Sequence, residues 1–302
     1  MDLGHRGELD RECRALIHVT DRVRVALLLA PALVILGGLF LGGLGVAALR
    51  SFGYMPILGL TEPNLDAYRT ILTDTALWQS LGRSLYIAGT STRISAVLAV
   101  AAALLIRSIG PGRRALTFLF QLNLTMPHLV GAIGVLLLLS QSGSFARLAF
   151  AAGLIERPGE FPALVYDRAS IGIIVQYIWK ELPFIGVIVL ANMRGLGTAY
   201  ENAARSLGAS RWQAVRHVLL PMILPGTAAA SAIVFAFVFG AYEIPALLGT
   251  HFPQALPVLA YDTFTDPDLT RRPEAMAMAM LITAVSALLI WAYMRLLRGG
   301  AR

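Results

Sequence analysis

Four ionisable residues lie inside long apolar runs of this chain: Arg93, Lys180, Glu181 and Glu243. A charge within a lipid-spanning segment is costly, so it either meets a partner between packed helices or lines a water-filled path for a solute. At 1.5 Å per residue, Arg93 and Lys180 fall near the middle of their runs, and Glu243 falls about two turns from the outer surface. Two readings stay open. In one, Glu243 neutralises Arg93 or Lys180 between spans. In the other, Arg93, Asn123, Lys180, Glu181, Tyr242 and Glu243 line a translocation pathway. Glu243 and Tyr242 suit a cation, through carboxylate attraction and cation–π contact. Arg93 and Lys180 suit an anion. Pro183 follows Lys180 and Glu181 closely, so it frees a backbone carbonyl in the same span and kinks it.

Other chemistry is scarce. A phosphate-cradling loop ends in Gly-Lys-Ser/Thr, and the only lysine is Lys180, within Trp179-Lys180-Glu181. This chain therefore does not hydrolyse ATP through such a loop, and no cofactor is expected on it. An intramembrane serine protease needs a serine beside a histidine. Here Ser142 and Ser144 fall at an outer edge and His128 in a span. The five histidines lack metal-ligand spacing, and the single cysteine, Cys13, excludes an intrachain disulfide.

These residues are positioned by a chain that is 57% hydrophobic and only 14% charged. That composition is a membrane protein's. Apolar runs of spanning length cover about 25–49, 84–106, 115–139, 170–193, 227–249 and 275–297. The first is too long for a cleaved signal core, so it reads as an uncleaved span. The pattern predicts an all-α membrane protein with six transmembrane helices. It has a tail over 1–24, an outer loop over 50–80 and a five-helix core over 81–298. A short amphipathic helix is expected over 64–77, and another at the outer surface over 144–155. Fifteen arginines fall on the tail, the 107–114 turn, the 194–226 loop and the C-terminus, against eight on the outer pieces. That bias places both termini inside. The net charge of +7 then reads as inner loops facing anionic lipid, not as a nucleic-acid surface.

The inner loop contains Thr198-Ala-Tyr-Glu-Asn-Ala-Ala-Arg-Ser-Leu-Gly-Ala-Ser-Arg-Trp-Gln-Ala-Val-Arg-His-Val-Leu-Leu-Pro221. Thr198-x-x-Glu201 and Ser210-x-x-Gln213 both have the capping-box pattern. Gly208 between them suits a left-handed helix stop. The expectation is helix, glycine break, helix, with Pro221 and Pro225 marking the hand-over to the next span. Ala203 and Ala204 let another surface approach, and Arg205, Arg211 and Arg216 rim the approach with donors.

This stretch resembles the cytoplasmic signature loop of permease subunits of bacterial type I ABC importers: Glu-Ala-Ala, three residues, Gly, nine residues, Ile-x-Leu-Pro. The chain reads Asn202-Ala203-Ala204, then Gly208, then Val218-Leu219-Leu220-Pro221, with the spacing kept. The resemblance covers about 80–298 and implies the type I importer permease fold. It implies that Glu201, Asn202, Ala203, Ala204, Arg205, Leu207, Gly208 and Pro221 couple the chain to an ATPase. Asn202 stands where the signature has glutamate, and Glu201 next to it is a candidate substitute. The implied partners are a dimer of ATP-binding subunits, which binds the ATP, a second permease that is either a copy of this chain or, as the subgroup favours, a different one, a periplasmic or lipid-anchored substrate-binding protein, and the lipid of the bacterial plasma (inner) membrane. The segment Phe239–Gly249 with Leu256–Tyr261 looks like the polyamine, ferric-iron and phosphonate groups, with a polyamine-like solute weakly favoured. The alternative is a stand-alone secondary transporter or channel using the buried charges for ion coupling, which leaves the signature loop without a role.

Overall fold

A computed structural model gives the fold and describes residues 4–109, 112–196 and 199–299. The described residues are helical with loops between, and their only extended pairing is an isolated bridge between Met55 and Leu60. Six segments are long and apolar enough to cross a membrane. Helix α1 (Gly4–Ser51) is one continuous helix, so the expected tail is helical and runs into the first span. From Val23 onward α1 is apolar all round and almost wholly exposed, as a lipid-facing helix must be. It packs on the last helix, α13 (Arg272–Gly299).

The outer loop holds α2 (Asp66–Thr73), which buries Ala67 and Ile71. The helix expected to 77 stops at Asp74 because that side chain accepts from Ala76 N at 2.8 Å and starts a new helix. This is α3 (Thr75–Ser108), 34 residues and about 50 Å long. It begins well before the span read from hydropathy. Its buried face is small and hydroxylated: Ser80, Ser84, Ala88, Ser91, Ser95, Ala99 and Ala103. Small residues let backbones approach in a membrane, and α3 makes the most extensive helix pair of the fold with α7 (Ile171–Leu196).

The third span is broken, contrary to the expectation of one helix over 115–139. Helix α4 (Arg113–Leu122) passes into a 3-10 turn over Asn123–Thr125 and unwinds at Met126-Pro127 before α5 (His128–Leu139). Pro127 has no N–H to continue the ladder and disfavours helical backbone at Met126. A helix is present at the expected place as α6 (Ser144–Ala151), shorter than the expected 144–155.

Beyond α7 come α8 (Ala199–Ser206) and α9 (Arg211–Ala214). Here too the structure corrects the sequence. The helix does not hand over at Pro221. It runs from α9 through a five-residue π segment, Val215–Leu219, into α10 (Leu220–Gly240). Leu220 N donates five residues back to Val215 O. The widened turn comes just before Pro221, which brings no N–H and a ring into the first turn of α10. The fifth span also ends earlier than the expected 249. It breaks at Ala241-Tyr242, and Glu243 opens a separate short helix, α11 (Glu243–Leu248). Helix α12 (Leu256–Thr265) then packs against α13 and α3 on the outer side.

Candidate functional site

The inner hairpin is built from local bonds. Ala209 N donates to Ala204 O at 3.1 Å and Gly208 N donates to Arg205 O at 3.0 Å. These are the paired bonds of a Schellman stop, with Gly208 at φ +90° in the left-handed region. Ser210 N donates to Gln213 Oε1 at 2.8 Å, and Gln213 N donates to Ser210 Oγ at 3.2 Å, completing the second capping box. Thr198, half of the first box, lies outside the described residues. The hairpin is therefore helix, glycine stop, helix, and its second arm is continuous with a span. A push on α9 is a push on α10.

The surface it presents is apolar at the tip. Leu207 is 90% exposed, and Tyr200 and Trp212 are also open. Asn202, Ala203 and Arg205 are exposed, and Ala204 is half-buried. Glu201 turns the other way. Its Oε2 accepts from Arg107 Nη2, at the inner end of α3, at 2.9 Å. Both side chains are largely covered, so Glu201 does not occupy the outward position that the Asn202 exchange leaves open.

The residues expected in the pathway divide into two groups. Asn123, Lys180 and Glu181 are drawn together at the break between α4 and α5. Lys180 is buried and Nζ donates to the carbonyls of Asn123 at 2.7 Å, Leu124 at 3.4 Å and Met126. The unwound turn is thus satisfied from inside the protein, as membrane depth demands. Asn123 Nδ2 in turn donates to Trp179 O at 2.5 Å, the carbonyl left without its helical donor by Pro183. Glu181 Oε1 lies 3.0 Å from His128 Nε2. His128 opens α5, its carbonyl accepts from Gln176 Nε2 at 3.2 Å, and its ring lies 5.0 Å from that of Phe237.

Arg93, Tyr242 and Glu243 form the second group, and all three are exposed in the single chain. The expected neutralisation of Lys180 by Glu243 is not found, because carbonyls hold the ammonium. Among the described residues no ion pair involves Arg93 or Glu243 either. Tyr242 packs on Tyr261 of α12 with ring centroids 4.5 Å apart.

Sequence reading did not single out His128, Gln176 or Arg107 as members of the site. His128 and Asn123 flank Pro127, and a proline between two polar residues inside an apolar run was the available signal. Nothing local marks Arg107 as the partner of a residue 94 positions away.

Six candidate spans, with one inner hairpin continuous with a span, are the architecture of a multi-pass membrane protein. The chain belongs to the family described as binding-protein-dependent transport system inner membrane component, which matches residues 75–301. It is a permease subunit of an ABC importer, multi-pass in the inner membrane. It is 27% identical to the molybdenum transport system permease protein ModB of Mycobacterium tuberculosis, over 79% of this chain and 87% of that one. It is 27% identical to the putrescine transport system permease protein PotI of Escherichia coli K12, over 71% of this chain and 70% of that one. The sulfate transport system permease protein CysT of the same organism is 28% identical over 60% of this chain and 62% of its own. In fold, the chain superposes on a bacterial ABC transporter that imports the acidic polysaccharide alginate, with TM-score 0.74, 19% identity, and 93% and 98% of the two chains covered. It also superposes on the inward-facing methionine transporter MetNI, with TM-score 0.57, 19% identity, and 75% and 96% covered.

Proposed function

We propose that this chain forms one half of a solute path and is driven by a separate ATPase that grips the hairpin over α8 and α9. The carrying observation is the hairpin itself: a rigid Schellman stop with an exposed apolar tip at Leu207, joined without a break to α10. The path-forming half follows from Arg93. It is the nineteenth residue of a 34-residue helix and is exposed in the single chain. A charge at bilayer depth costs about 2.5–3.5 kcal/mol, so a second permease covers it and encloses a polar path that includes Arg93, Tyr242 and Glu243. A substrate-binding protein delivers the solute from outside.

The solute is small and polar or charged. One observation favours a polyamine-like cation. Lys180, one of the two cations that argued for an anion, is held by three carbonyls, while Glu243 stays open beside the Tyr242–Tyr261 pair. The exposed Arg93 favours an oxyanion instead, and the similarity to permeases of molybdenum and sulfate systems supports that second reading.

Co-purification with candidate ATPase subunits tests the docking, comparing wild type with Gly208→Asp. The substitution puts a side chain where φ is +90° and a charge at the apolar tip. Retention by wild type and loss by a variant that still elutes as a single folded species supports the reading. Equal retention overturns it. Uptake of a labelled diamine against a labelled oxyanion, in Glu243→Gln and Arg93→Gln, then separates the two solute classes.

A further inference from the structure

The acidic residue beside the signature position has been drawn into the subunit. Arg107 is the second-last residue of α3 and Glu201 is in the first turn of α8. Helix α8 packs mainly on α9 and the π segment, its own hairpin. Between α8, α9 and the end of α3 lies a groove of about 510 Å³, lined by Leu104, Arg107, Glu201, Arg205 and Trp212 among others. The backbones of α3 and α8 are thus held apart, and the 2.9 Å contact of Arg107 with Glu201 crosses the space between them. Both groups are largely covered, so solvent screens the pair less than an open surface pair.

We infer that Arg107 and Glu201 form a strut that carries movement of the hairpin into α3, making them positioning residues for coupling. The hairpin then drives two spans. It moves α10 through continuous helix and α3 through the ion pair. Without the strut, α8 follows the ATPase while α3 lags. The inference rests on the docking reading above, but it assigns Glu201 a role inside the subunit and leaves the ATPase contact to Ala203, Leu207 and their neighbours.

The test uses the full complex, with the co-expressed second permease and ATPase, in nanodiscs. A reporter cysteine replaces Val97, which is 69% exposed on α3, in a Cys13→Ser background. Its thiol-labelling rate is measured with and without ATP and vanadate. In wild type, trapping changes the rate about fivefold or more. In Arg107→Gln and Glu201→Gln the ATPase still co-purifies and hydrolyses ATP, while the nucleotide-driven change falls below about twofold. These are magnitudes ordinary for coupling between sites. The exchanged pair Arg107→Glu with Glu201→Arg restores the change.

Loss of the ATPase from the single variants makes Glu201 a docking contact, which overturns the strut and leaves the docking reading standing. Single variants that respond like wild type, an exchanged pair that fails to recover, or a wild type with bound ATPase and no change at Val97 each overturn the strut alone. A wild type that binds no ATPase removes both.

Discussion

Asn123 Nδ2 donates to Trp179 O at 2.5 Å, so an amide at one helix break caps the carbonyl exposed by another. Pro183 removes the donor that Trp179 O has in a regular helix. Asn123→Ala is expected to lower stability by about 1–3 kcal/mol, the cost of a polar group left without its partner. Pro183→Ala supplies the missing N–H, so the double variant should recover part of that loss. Thermal unfolding in detergent checks both. Independent, additive losses would show that the two breaks are not linked in this way.

Lys180→Met removes the donor to three carbonyls of the unwound turn. The expected loss exceeds that of Asn123→Ala, at about 2 kcal/mol or more, and appears as a reduced fraction of monodisperse protein. Wild-type yield and melting would mean that water or lipid headgroups reach the turn and replace the ammonium.

The contact of Glu181 with His128 needs an acceptor at position 181. Glu181→Gln keeps an oxygen there and should lose less than about 1 kcal/mol, whereas Glu181→Ala should lose about 2 kcal/mol. Chemical denaturation of the detergent-solubilised protein ranks the two. Equal losses would assign the stabilisation to the charge.

Gly226 of α10 lies directly against the side chain of Asn192 on α7. A Cβ placed there would lie 1.9 Å from Asn192 Nδ2. Gly226→Ala should destabilise by about 1–3 kcal/mol through overpacking, and Asn192→Ala should relieve most of it. A double-mutant cycle on the melting midpoint decides. Absence of relief would place the strain in the helix backbone.

Glu243 is exposed and has no ion-pair partner among the described residues, so Glu243→Gln should leave folding and ATPase retention unchanged while lowering uptake of a cationic solute. The structural alternative read from the sequence makes Glu243 a counter-charge for Arg93 or Lys180 between spans. Loss of the folded species on size-exclusion chromatography would restore that structural role.

Hydropathy was enough for six spans because lipid imposes length and apolarity on every segment that crosses it. The inner hairpin was legible for a different reason. Gly208 and the Ser210–Gln213 box act over a few residues, so their geometry is written locally. The breaks at 123–127 and 241–242 were not legible in a reading of apolar runs, because a broken span is as apolar as a whole one. What permits the first break is Lys180, which is more than fifty positions away. The same limit hid the partner of Glu201. The continuity of α9 with α10 was misread because Pro221 and Pro225 ordinarily stop a helix, and a π turn is invisible to residue-type rules.

Apart from a contact of its end with α2 through Ser51 and Tyr68, helix α1 packs chiefly on a late part of the chain. Its packing partner, α13, begins at Arg272, some 220 residues after α1 ends. At about 5–20 residues per second, α1 waits roughly 10–45 s in the bilayer before its neighbour leaves the ribosome. An unbroken greasy circumference lets it wait alone. The serine-lined face of α3 has no such freedom, and it must find α7 soon after both are inserted. Biogenesis thus assigns the two ends of the protein different tempos: a patient anchor first, then a hurried core, closed at the finish by the helix that joins them.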